Sequence, residues 1–229
     1  MSSADTSVVN VPAVPALDVP SRDPDSVQSR ARQTPRSSRA ADSGLRVFGD
    51  VGYGWFRAHH SFEAVLGTAG GVWVGGGAQY DFGRGYVVRG EIEHFHGTGQ
   101  RVFVLDNMVF RLGTTDTTSI TPLVVLGGYR VQRPHLALYA GAGAGVYLLR
   151  ETSDLSDPSE RVQRANAAYR AFVGMQWPIA KRYAAGVELQ YSAVPGALSG
   201  GAAQLFHESD LGGLLVKGKL VFGLTHSRP

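Results

Sequence analysis

YAAGVELQYSA, from Tyr183 to Ala193, is the stretch that decides the fold. Tyr183, Ala185, Val187, Leu189 and Tyr191 fall on one side of an extended chain. Ala184, Gly186, Glu188, Gln190 and Ser192 fall on the other, because successive strand side chains point to opposite faces. The period is two, so the segment reads as a strand with one apolar and one polar face. The same pattern recurs along the chain. Tyr86, Val88 and Ile92 alternate with Arg89, Glu91 and Glu93. Leu214, Val216, Leu220 and Phe222 oppose Lys217 and Lys219. Val47, Val51, Tyr53 and Trp55 oppose Arg46 and Asp50, and Tyr169, Val173, Met175 and Trp177 oppose Arg170 and Gln176.

From Gly44 onward the pattern predicts strands at about 45–58, 71–82, 86–97, 117–131, 135–149, 165–178, 183–193 and 211–224. Helical periodicity is weak throughout, except inside a loop. The connections alternate in length. Gly83 to Gly85, Gln132 to Pro134 and Ile179 to Arg182 are tight turns, whereas 59–70, 98–116, 150–164 and 194–210 are long. The expected fold is therefore all-β: eight antiparallel strands in an up-and-down barrel, short turns at one end and long loops at the other. Loop 98–116 is unusually apolar, through Val102 to Leu105 and Met108 to Leu112. An alternative reading continues strands 3 and 4 as a protruding hairpin, with Asp106-Asn107 at its tip.

Composition marks where the barrel begins. Residues 1–43 have no Gly and no aromatic residue, but contain 5 of the 11 Pro. Such a segment cannot bury enough apolar surface to order itself. The expected organisation is a disordered Pro/Ser/Arg-rich tail over 1–43 and one barrel domain over 44–229. The net charge of +3 comes without a Lys/Arg cluster that would track phosphates, so nucleic acid is not an expected partner. The absence of Cys removes disulfides, thiol catalysis and zinc–thiolate sites. No apolar run is long enough for a transmembrane helix. Met1 to Ser7 carries no positive charge, and Val8 to Val19 is broken by Pro12 and Pro15, so no signal peptide is read here. For an exported chain, such a peptide is expected to have been removed.

A barrel with one apolar face per strand can be soluble and lipocalin-like, apolar face inward, or membrane-spanning, apolar face outward. Three features favour the second. Apolar-face aromatics gather at strand ends, with Tyr80, Phe82, Tyr86, Tyr129, Trp177, Tyr183 and Phe222 toward the short turns and Tyr53, Trp55, Tyr169 and Tyr191 toward the long loops. Two such groups suit interfacial girdles. The polar face carries Arg46, Arg89, Arg130, Arg170, Lys217 and Lys219 against Asp50, Asp81, Glu91, Glu93 and Glu188, a near balance that a narrow lumen requires. Gly75, Gly77, Gly141, Gly143 and Gly145 lie on that same face and leave room for long Arg and Glu side chains.

With these residues in view, and with Gly-aromatic patterns such as Val51-Gly52-Tyr53-Gly54-Trp55 and Val221-Phe222-Gly223-Leu224, residues 44–224 resemble the eight-stranded outer-membrane β-barrel superfamily of the OmpA/OmpX/opacity-protein type. The resemblance implies residence in a bacterial outer membrane. It also implies contact with outer-membrane lipid and lipopolysaccharide.

Motifs that could carry chemistry are few. Asp81-Phe82-Gly83 leads into a tight turn and lacks every other part of a kinase. Gly141 to Gly145 has no following helix to make a phosphate cradle. His59, His60, His94, His96 and His207 lie toward the long loops, where a surface metal site was weighed against solvated histidines; the expectation is no metal. The sharpest enzymatic alternative is His207-Glu208-Ser209. It resembles the His-x-Ser pair of outer-membrane lipid A 3-O-deacylases, in which His207 would activate Ser209. The expected role is non-enzymatic, structural or adhesive through long extracellular loops that could dock a protein or surface ligand. The expected molecule is a monomer without cofactor, its lumen plugged by the ionic network.

Overall fold

A computed structural model describes residues 43–105, 108–153, 162–199 and 201–224. The tail expectation, apart from Ser43, lies outside the described residues. Eight strands run in chain order: β1 (Gly44–Phe56), β2 (Gly70–Phe82), β3 (Tyr86–Leu105), β4 (Met108–Gln132), β5 (Ala137–Ser153), β6 (Val162–Pro178), β7 (Tyr183–Ala193) and β8 (Gly213–Gly223). Each pairs antiparallel with its neighbours, and β8 closes on β1. The fold is the expected eight-stranded up-and-down barrel.

The register gives the strand tilt. A row of partners starting at Leu45 passes through Tyr80, Val88, Gly127, Ala142, Ala171, Tyr191 and Leu214 and returns to β1 at Trp55. The return is displaced from position 45 to position 55, so the strands lean by about 40° to the barrel axis. That lean brings short-turn aromatics of different strands to a common level, although they stand at different distances from their strand ends.

Three local departures from the sequence reading have physical causes. First, the hairpin alternative holds over 98–116 in place of a long loop: β3 and β4 pair from Gly97–Thr118 up to Leu105–Met108, with one register shift between Gln100 and Val102. The alternating Val, Phe and Thr residues there extend the hairpin. Second, two connections hold helices: α1 (His59–Leu66), which ends on Gly67 at φ 75°, and α2 (Gly201–Leu205). Five to eight residues are too few for periodicity to announce a helix. Third, the β3–β4 pairing lapses between Ile92–Leu123 and Phe95–Ile120, where Pro122 sits, and resumes in the same register. Proline has no N–H to donate to a ladder. Side chains bridge the same place on the outer wall, with His94 Nδ1 3.0 Å from Thr121 Oγ1 and Ser119 Oγ 3.4 Å from His94 Nε2.

Candidate functional site

The lumen is lined by the inward parity of all eight strands, and its centre is ionic. Arg89 meets Glu188 through two bonds, Nη1 to Oε2 at 2.6 Å and Nη2 to Oε1 at 2.9 Å, and its Nε lies 3.1 Å from Glu91. Arg170 Nη1 lies 2.7 Å from Glu93 and 3.3 Å from Glu91. Lys217 Nζ is 2.7 Å from Glu93 and 3.3 Å from Asp50. Lys219 Nζ is 3.0 Å from Glu188. Four cations thus face four anions, which suits a space from which water is excluded, because each charge needs a partner there. A smaller group lies toward the short turns: Arg46 Nε is 2.7 Å and Arg130 Nη1 is 3.6 Å from Asp81 Oδ2. The surplus positive charge sits in this second group, where the Arg46 side chain is 27% exposed.

Several lumen residues were not among the site residues read from sequence. Gln190 Nε2 donates to Glu188 at 2.7 Å and to Glu91 at 3.0 Å. Tyr147 accepts from Arg170 at 2.7 Å and donates to Ser192 at 2.8 Å. Phe172 and Phe48 wall the network, with the Arg89 guanidinium 3.8 Å from the Phe172 centroid and Lys219 Nζ 3.9 Å from the Phe48 centroid. Their signal was parity, since Phe172 is two residues from Arg170 and Phe48 lies midway between Arg46 and Asp50. The expected use of the lumen glycines needs a correction. A Cβ on Gly75 would meet Glu93, but one on Gly141 would meet the Phe172 ring at 2.6 Å and one on Gly77 the Phe48 ring at 2.8 Å. The nearest atoms at Gly77, Gly141, Gly143 and Gly145 are backbone carbonyl oxygens of the adjacent strand, so these glycines serve close strand approach as well as side-chain room.

Toward the long loops the lumen turns apolar. Phe56, Phe62, Trp73, Phe95, Ile120, Leu149 and Leu211 are buried in one cluster. Phe62 of α1 stacks on Phe56 with centroids 3.7 Å apart, and Phe95 packs edge-on to Phe56 at 5.0 Å. Above it, a cavity of about 340 Å³ opens, lined by Phe62, Leu66, Thr118, Leu149, Arg164 and Leu198 among others.

The long-loop end carries a second polar group. Glu208 reaches from the segment after α2 to the first turn of α1, accepting from Ser61 Oγ at 2.6 Å, Ser61 N at 2.8 Å and His60 N at 3.2 Å. Burial would raise its pKa, but these bonds and nearby His59 outweigh that and hold the carboxyl below its usual range. Asp210 accepts from Val194 N at 2.7 Å and Gly212 N at 2.8 Å, and pairs with Arg57 at 3.2 Å. His207 and Ser209 are both exposed, and no hydrogen bond joins them. The same-face expectation needed an extended chain, whereas His207 takes φ 55°. The middle residue of the triplet, Glu208, is the one with a role, as a cap on α1. His94 and His96 face outward on β3.

The outer wall settles the environment. Val125, Tyr86 and Tyr169 are 64%, 61% and 62% exposed, whereas Glu188 and Arg89 are 0% and 1% exposed. Tyr53, Trp55, Tyr80, Phe82, Tyr86, Tyr129, Trp177, Tyr183 and Tyr191 are all exposed, and Phe222 is half-buried against Tyr183 at 5.1 Å. Apolar outside and charged inside is the inverse of a soluble barrel, so the lipocalin-like alternative is overturned. The chain is a transmembrane β-barrel of the outer-membrane type.

No protein-family model matches the sequence. No curated protein matches it either. Among solved structures, it is similar to Neisserial surface protein A, NspA, at 11% identity over 79% of this chain and 97% of that one, TM-score 0.47. It is also similar to the N-terminal β-barrel domain of Pseudomonas aeruginosa OprF, at 11% identity over 80% of this chain and 100% of that one, TM-score 0.46. A third is Ail, the attachment invasion locus protein of Yersinia pestis, in complex with the heparin analogue sucrose octasulfate: 12% identity over 78% of this chain and 99% of that one, TM-score 0.42.

Proposed function

We propose that this barrel is a closed, non-enzymatic wall element of a bacterial outer membrane that presents its long-loop end to the outside. The observation that carries the reading is the filled lumen. A balanced ionic group and an aromatic cluster lie one above the other among the described residues, which supports a lumen without a wide aqueous path in a barrel whose eight strands already give a narrow interior. What the molecule then offers its surroundings is surface. Lipid and lipopolysaccharide meet the apolar wall, and protein or surface ligands meet the β3–β4 hairpin, where Met108 and Phe110 are exposed. Reconstitution of the chain in planar bilayers tests the closed lumen. Only brief, sub-porin current steps are expected, and large stable conductances would sink the reading. Binding of the folded chain to host or bacterial surfaces, compared with a chain whose residues 99–115 are replaced by a short turn, tests the hairpin. Equal binding by the two would exclude it as the docking element.

A further inference from the structure

Two loops from opposite ends of the chain meet at the barrel mouth, and their junction holds two imidazoles and a carboxylate. α1 supplies His59 and His60, and the segment after α2 supplies Glu208. Adjacent helix positions diverge by about 100°, yet the two imidazole centroids are only 3.9 Å apart. Glu208 Oε1 lies 3.7 Å from His59 Nδ1. One donor atom from each of the three residues falls within 4.8 Å of the others. The carboxylate is pre-set, because Ser61 holds Oε2 through its hydroxyl and its backbone N–H. Oε1 accepts only the longer bond from His60 N and keeps a lone pair on the side of His59.

We propose that His59, His60 and Glu208 bind a divalent transition metal, Zn²⁺ in particular, and that the ion clamps the first long loop to the last. Two nitrogens and one oxygen suit zinc and supply too few oxygens for Ca²⁺ or Mg²⁺. Three protein ligands leave a fourth position for water, and both rings are exposed, so water reaches it. The positive end of α1 would repel a cation, but Glu208 sits against that end and neutralises it. The other pair of neighbouring histidines offers no equivalent. His94 has both ring nitrogens in contact with Thr121 and Ser119 on the outer wall, whereas His59 has a hydrogen-bond contact at Nδ1 alone, 3.3 Å from the Arg57 carbonyl oxygen.

The test is calorimetric titration of ZnCl₂ into the tag-free chain, refolded in detergent micelles. The expected result is one saturable site per chain. In H59Q/H60Q the affinity should fall by about tenfold or more, and in H94Q/H96Q it should stay unchanged. All these side chains are exposed, and heat-modifiable gel migration checks that each variant folds. With Cu²⁺ as probe, electron paramagnetic resonance of the parent should show imidazole nitrogen coupling that H59Q/H60Q lacks. The proposal is overturned if the parent shows no saturable heat, if H59Q/H60Q binds as tightly as the parent, or if H94Q/H96Q is the variant that loses the site.

Discussion

At the scale of single residues, Glu188 is where the lumen is most sensitive. It takes the fork of Arg89 and the ammonium of Lys219, and Lys217 stands 3.5 Å away. Glu188→Ala leaves three buried cations facing too few anions. The expected loss is about 3–5 kcal/mol, read from urea unfolding of the refolded barrel in lipid vesicles. Replacing partners together, as in Arg89→Met with Glu188→Leu, should restore much of that loss, because it removes the unpaired charge. Glu208 is sensitive in a different way. It caps α1 from another loop, so Glu208→Ala should cost about 1 kcal/mol of local stability. That loss should appear as faster hydrogen exchange at the His60 and Ser61 amides, which Glu208 accepts from, with the barrel strands unchanged.

At the scale of elements, parity made the strands legible. Glu188, Arg89 and Lys217 each sit between apolar neighbours, so sequence alone could tell lumen from lipid face. The same rule yields a sharp contrast. Val125 faces outward at 64% exposure and Leu126 faces inward at 1%. Val125→Arg should cost about 2–4 kcal/mol in a bilayer. In detergent-free buffer the same change would cost little on a soluble barrel, so the comparison of vesicle unfolding with Val125→Ala checks the orientation directly. What parity could not show were features set by tertiary contact. Parity places Phe48, Phe95, Trp73 and Phe172 on the inner face, but only barrel closure shows which charges and rings they pack against. α1 exists because Phe62 stacks on Phe56 and Glu208 caps it, two contacts made by residues distant from or preceding the helix. Pro122 lay inside a run that otherwise read as continuous strand, and only the pairing shows the ladder broken beside it.

For the whole molecule, the proposed closed lumen would rest on two barriers in series: the ionic group near mid-barrel and the aromatic cluster above it. Series barriers make single substitutions poor probes of conduction. Glu188→Ala weakens the ionic group, but Phe56, Trp73 and Phe95 still fill the path toward the long loops. Trp73→Ala with Phe95→Ala thins the upper cluster but leaves Arg89, Arg170, Lys217 and their carboxylates packed below. Neither change alone should raise single-channel current in planar bilayers much above the parent. The three substitutions together weaken both obstacles, and their current should exceed the sum of the separate effects several-fold. The remaining lumen has four cations against three anions at its centre, so the opened path should favour anions, which reversal potentials in a salt gradient will report. Additive currents, or a parent that already conducts steadily, would mean that the two groups do not act in series.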